Sequence, residues 1–421
     1  MLSRFNFPKF SREFKVISIC IAFYNWSLSL VLQYMDLFAV ELGVIPALLG
    51  LFTGIGQFFS GIAAFFFGWY ADFHGVKKAL IVTLILCICA FGIYSLAVYW
   101  WMVIFSIILL YISRATIIPF ADIILVGTTE ARSRATAIGF VRAFWAFVGS
   151  FAPIVAALTI TAFGGINVEG IRPLFVISAF LNIFVLILVA RFLKLDYPRL
   201  EMKRSFKQKM DIGSKINFFL QNFQEFLKEK NLKPYLLVNI IRRASNAISA
   251  PFIYLWMVNV KGADENILGT FGFLSLITWA LLQLPAGIIA DRIGRVKTFI
   301  LLEAFRYIGT IWLILCPAPE QLIIVGILGA CGLMLGTEGS GIGGVSFIPL
   351  MVLSWEAVPE DKRGRWHGII SFLSSFNILA ALLAGIMWQA GLMVQVLIIP
   401  LILEACFALP LLLTVPETSR L

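Results

Sequence analysis

The sequence predicts an all-α membrane protein with twelve transmembrane helices in two pseudo-symmetric six-helix bundles. Three observations carry this. The chain of 421 residues is 60% hydrophobic and only 13% charged, about half the charge of a soluble domain, so most of its surface has lipid for solvent. Apolar runs of about 20 residues, long enough to cross a hydrocarbon core, recur from end to end and do not alternate as barrel strands would. One loop also occurs twice. Gly68-Trp69-Tyr70-Ala71-Asp72-Phe73-His74-Gly75 and Gly287-Ile288-Ile289-Ala290-Asp291-Arg292-Ile293-Gly294 share a G-x-x-A-D-x-x-G frame about 219 residues apart, and Leu49-Gly50 matches Leu268-Gly269 at the same offset.

The runs follow in order. The first, 16–41, carries Asn25, Ser29, Gln33 and Asp36, which as one helix lie within about 80° of each other. Runs 46–70 and 79–98 bracket the first loop copy. Runs 101–128 and 136–163 bracket a basic loop at Arg132 and place Asp122 and Arg142 at one depth, where an ion pair is expected. Run 171–193 closes the first half. The polar segment 194–233 follows, and its Ile216, Phe219, Leu220, Phe223, Phe226 and Leu227 repeat at three and four, as in a helix lying on a membrane surface. Phe5, Phe7, Phe10 and Phe14 with their basic neighbours read the same way.

The second half opens with run 234–258, whose Asn239, Arg242, Arg243, Asn246 and Ala250 form a polar face comparable to that of the first. Runs 266–290 and 297–316 bracket the second loop copy, and Glu303 and Arg306 share a face of the latter. Run 320–355 is too long for one straight span, and its Gly336–Gly344 stretch predicts a break. Runs 366–389 and 393–415 complete the set, leaving Glu404 with no assigned partner. The domains are therefore 1–193, a linker at 194–233, and 234–421.

A net charge of +10 suggests nucleic acid, but its distribution does not. With both termini cytoplasmic, about 26 of the 33 Lys and Arg fall on that side and only Arg172 and Lys261 on the other. The remaining five, Arg114, Arg142, Arg242, Arg243 and Arg306, lie within runs. No cleavable signal is expected from the first run, no phosphate-binding loop pattern occurs, and the two histidines, His74 and His367, are not expected to form a metal cluster. No catalytic residue, cofactor or metal is expected.

The duplicated loop resembles the signature of the major facilitator superfamily, and the resemblance covers essentially the whole chain. Gly287, Asp291, Arg292, Gly294, Arg295 and Lys297 match the pattern well; in the first copy Gly68, Asp72, Gly75, Lys77 and Lys78 remain, while Phe73 and Val76 replace basic positions. Arg114 matches the arginine of the family's fourth helix, although Ile117, Ile118 and Phe120 replace its polar residues and glycines. The fifth-helix antiporter signature is reduced to Gly149 and Pro153.

The resemblance implies a multi-pass transporter of the cell membrane, monomeric, working by alternating access. The duplicated loop is then a latch that holds the cytoplasmic side shut. Polar and ionisable groups inside a bilayer are costly and therefore candidate sites: Asn25, Gln33, Asp36, Arg114, Arg242, Arg243, Asn246 and Glu338, the last as a proton carrier beside a broken helix. The expected activity is proton-coupled efflux of amphipathic compounds. The alternatives are an organic anion as cargo and, in another class, a non-transporting sensor or scaffold.

Overall fold

The computed structural model describes residues 11–129, 134–194, 232–333, 340–358, 370, 373 and 376–414. Regular structure among them is entirely helical. The first half contains α1 (Arg12–Val31), α2 (Met35–Glu41), α3 (Pro46–His74), α4 (Val76–Leu96), α5 (Trp100–Gly127), α6 (Arg134–Ser150), α7 (Ala152–Ala162) and α8 (Val168–Phe192). The second contains α9 (Lys233–Ser249), α10 (Ile253–Leu255), α11 (Glu265–Ile293), α12 (Arg295–Leu315), α13 (Leu322–Leu328), α14 (Gly341–Gly344), α15 (Phe347–Ala357), α16 (Asn377–Gln389), α17 (Met393–Leu403) and α18 (Leu409–Leu413). Wide π turns at Trp256–Val260 and Glu404–Ala408 follow α10 and α17.

Nine stretches among the described residues are long and apolar enough to span a bilayer. They coincide with the expected first to sixth, eighth, ninth and twelfth runs. The tenth and eleventh are represented by shorter apolar helices. The predicted break in the tenth run occurs earlier than expected: α13 stops at Leu328, where Gly329 takes φ +83°. The seventh run breaks after Ser249, ahead of Pro251, and the first breaks after Val31. These two breaks are equivalent: Val31 and Ser249, like Met35 and Ile253, stand 218 residues apart.

The duplicated loops have duplicate geometry. Gly75 (φ 90°, ψ 146°) ends α3 and starts α4, and Gly294 (φ 104°, ψ 152°) ends α11 and starts α12. A side chain at either would be strained, so glycine sets both turns. These turns mark one end of the molecule, the loop face; the turns after α2, α4, α7 and α12 mark the far face. Three long basic side chains cap helix C-termini, where carbonyls lack partners. Lys77 Nζ donates to Ala190 O (3.0 Å), Arg172 Nη2 to Ala97 O (2.8 Å), and Lys261 Nζ to Ile314 O (2.7 Å) and Cys316 O (2.8 Å).

The two halves meet along α3 against α16 and along α6 and α7 against α11. At the far face they touch backbone to backbone: a Cβ on Gly54 would lie 2.6 Å from Ile378 Cα, and one on Gly269 3.0 Å from Pro153 O. Toward the loop face the same helix faces stand clear: nothing lies within 4 Å of a Cβ built on Gly68, in line with Gly50 on α3, or on Gly287, in line with Gly269 on α11. The same pair of helices is thus closed at one end and uncovered at the other.

Candidate functional site

Helices α1 and α9 hold equivalent places in the repeats, and their polar faces fare differently. In α9, Val238, Ser245 and Ser249 are buried, while Asn239, Asn246 and Ala250 are half-buried and Arg243 is exposed on a common face. The α1 stripe is divided by the break. Asn25 stays on α1, 8% exposed, with its Oδ1 unpartnered. Gln33 falls in the turn and donates from Nε2 to Leu268 O of α11 (3.2 Å), joining the halves at the far face. Thr161 Oγ1 adds a second link there, donating to Glu265 Oε1 (3.1 Å). Asp36 stands at the start of α2.

The adjacent arginines of α9 have opposite surroundings. Arg242 Nη1 lies 2.7 Å from Glu303 Oε1, and its guanidinium stacks over the Phe299 ring. Glu303 is fully buried and also accepts from Arg306 Nε (2.7 Å) and Ser346 Oγ (2.6 Å). Arg306 in turn pairs with Glu404, which supplies the partner that sequence reasoning left open. Glu303 and Arg306 thus lie on the packed face of α12, while Leu301, Ile308 and Ile311 of the same helix stay exposed. Arg243 makes no hydrogen bond or ion pair with a described residue. Arg114, mid-way along α5, sits 5.9 Å from the Tyr111 ring centroid.

Other candidates are placed as follows. Asp122 Oδ2 lies 3.1 Å from Arg142 Nη2, joining α5 to α6, with both side chains partly exposed. Asp291 is 75% exposed and reaches only Arg295 on its own loop, at 3.9 Å; Arg292 is also exposed. Nothing lies within 4 Å of a Cβ built on Gly68 or Gly287, so neither brings helices together in this conformation. Glu338, the linker helix and the Asp72 side chain lie outside the described part of the structure.

Charge arithmetic points to buried ion pairs in the second half: its runs hold the three arginines Arg242, Arg243 and Arg306 against the three interior carboxylates Glu303, Glu338 and Glu404, without saying which of them meet. The turn at Gln33 has no comparable signal, because nothing in residues 32–34 is a helix breaker.

The sequence profile of the Major Facilitator Superfamily matches residues 16–382. Among solved structures, the nucleoside transporter NupG superposes with a TM-score of 0.68 at 12% identity, covering 94% of this chain and 98% of its own. A bacterial homologue of the human lysosomal transporter Spinster, in an inward-facing and unoccupied conformation, gives 0.64 at 15% identity, covering 96% and 97%. At such identities the likeness is one of fold. No curated protein sequence matches the chain.

Proposed function

We infer what this chain carries from the premise that it belongs to the major facilitator superfamily. It is a multi-pass membrane protein and a secondary transporter working by alternating access, not an enzyme. We propose twelve spans in two six-helix bundles, residues 1–193 and 234–421, with the loop face and both termini cytoplasmic. The conformation is then open to the cytoplasm: the far-face ends of α3, α7, α11 and α16 are packed, and Asp291 stands exposed, as a disengaged latch would.

The cargo supported best is a small organic anion. The observation that carries it is Arg243, an unpaired, exposed cation halfway along α9, next to an arginine that Glu303 already neutralises. A charge in such a place is unfavourable unless water or a ligand meets it. Carriers built from repeats bind between the repeats, where both gates can reach the cargo; Asn25, Asn246 and Arg114 lie at a similar depth. In a thermal-shift screen of carboxylates, phosphates, sugars and cationic drugs, an anion should stabilise the purified protein. Arg243→Ala should abolish that shift, and Arg243→Lys should retain part of it, because an ammonium lacks the bidentate fork. An anion response indifferent to Arg243→Ala and Arg114→Ala would reject this reading.

Proton-coupled efflux of amphipathic compounds is the second reading, favoured by the unpaired carboxylate of Asp36. It requires drug transport that survives Arg243→Ala and fails in Asp36→Asn. Absence of flux for every solute in liposomes would favour a sensor or scaffold.

A further inference from the structure

The first and last helices of the first half pack together and leave a groove between them at the loop face. Its walls are Val16 and Ile19 of α1 and Leu188 and Phe192 of α8; it is lined by apolar side chains alone and holds about 170 Å³. Ile19 and Phe192 are exposed at its rim, so the groove opens outward. Both walls continue toward the loop face as bases. On α1, Arg12 and Lys15 stand one turn before Val16 and Ile19, and all four lie within about 100° of the helix circumference. On α8, Leu188, Arg191 and Phe192 span the same arc. Arg12, Lys15 and Arg191 are exposed, and their side chains make no hydrogen bond or ion pair with a described residue. Lys77 adds a fourth charge at this end of α8, held on Ala190 O at 3.0 Å. The acid nearest in sequence, Glu13, is half-buried and lies about 100° round α1 from Arg12.

An occupant must suit both parts. The groove has nothing to offer a hydrated or charged group, and a hydrocarbon chain fills it by packing alone, since lipid tails are as apolar as its walls. Selectivity must then come from the bases at its mouth. Long basic side chains near a helix end lay their stems on apolar surface and carry their charge to headgroup depth, where they attract anionic lipid. The neighbouring segments of the chain do not supply that anion: residues 1–10 hold Arg4 and Lys9 without an acid, and residues 195–231 are net basic. A free phosphate would meet the bases and leave the groove unfilled.

We propose that Val16, Ile19, Leu188 and Phe192 seat one acyl chain of an anionic phospholipid whose phosphate is met by Arg12, Lys15 and Arg191. The site lies on the outer seam of the first half and does not depend on the cargo reading. A lipid so held bridges α1 and α8 at the loop face and stabilises the first half without touching the second.

The test needs no cargo. The melting temperature of the purified protein in a neutral detergent is followed as dioctanoyl phosphatidylglycerol, dioctanoyl phosphatidylcholine or sodium phosphate is added at equal ionic strength. Phosphatidylglycerol should stabilise the wild type more than phosphatidylcholine does, and phosphate should not stabilise it. Lys15→Gln and Arg191→Gln should each raise the phosphatidylglycerol concentration for half-maximal shift about fivefold. Arg292→Gln, at an exposed loop-face base of the second half, should leave it unchanged. Ile19→Trp, at an exposed position, fills the groove and should abolish the preference with all three bases in place. Equal shifts from the two lipids, or none, would mean ordinary boundary lipid, and an equal shift from phosphate would mean a free-anion site. A preference that survives Ile19→Trp, or weakens as much in Arg292→Gln, would mean general surface charge. Each of these results overturns the site. So does a lipid-indifferent protein whose particle mass falls by half in Ile19→Trp, which would assign the groove to a second copy of the chain.

Discussion

The corresponding three-helix seams of the two halves are held by different chemistry. In the first half, α1, α4 and α8 meet through neutral groups. Asn182 Nδ2 donates to Ser27 Oγ (2.8 Å), Ser178 Oγ donates to Ser27 O (3.0 Å), and Cys87 Sγ reaches Asn182 Oδ1 at 3.8 Å. In the second half, α9, α12 and the π turn after α17 meet through Arg242, Glu303, Arg306 and Glu404. Cys87 and Arg306 are 219 residues apart, the spacing of Asp72 and Asp291. One architecture therefore tolerates either seam, provided each buried polar group finds a partner. The two differ in what happens when one member is removed. A neutral hydrogen bond between membrane helices contributes about 0.6 kcal/mol on average, whereas cutting a buried ion network leaves a bare charge behind, at about 3–5 kcal/mol.

That contrast can be broken most forcefully at Glu303. Glu303→Ala strands Arg242 and Arg306 together and should destabilise the protein by about 3–5 kcal/mol, read as a large fall in melting temperature in detergent. Replacing Arg242, Glu303, Arg306 and Glu404 together with apolar residues of similar volume should recover most of that loss; a quadruple variant as unstable as the single one would mean that the network contributes more than mutual charge balance.

An intermediate effect is expected at Asp122 and Arg142, where 30% and 23% exposure lets solvent screen the charges. Each single alanine should cost about 1 kcal/mol, and the double variant less than the sum. Strict additivity would show that the pair is coincidental.

The smallest loss belongs to the neutral seam. Asn182→Ala should cost about 0.6–1.7 kcal/mol, and Asn182→Asp, which buries a carboxylate beside Cys87 in a seam of neutral groups, should cost more than the alanine. Equal losses from Asn182→Ala and Glu303→Ala would erase the distinction between the two halves.

Much of this architecture was legible in the residues. The apolar runs fix helices because a backbone in hydrocarbon can satisfy its hydrogen bonds only within the segment, and nine runs reappear within a few residues of their expected limits. Gly75 and Gly294 were legible as turns because only glycine adopts those angles at no cost. The seventh and tenth runs were harder to bound: Pro251 and Gly329 interrupt helices inside sequences that remain apolar on both sides. The site was legible as a set of charges at membrane depth, but not as a set of partners. Arg242 and Arg243 have the same chemistry and adjacent positions, and which of them is free depends on a 100° turn of the helix toward Glu303, 61 residues away.

By itself the sequence determined that the chain is a duplicated bundle of membrane helices with charged groups inside it, since hydropathy and repeat spacing are properties of residues in order. Only the tertiary structure decided that Glu404 meets Arg306 and that Gln33 turns away to tie α11. Those pairings depend on the relative rotation and depth of helices far apart in the chain, and side-chain packing sets both.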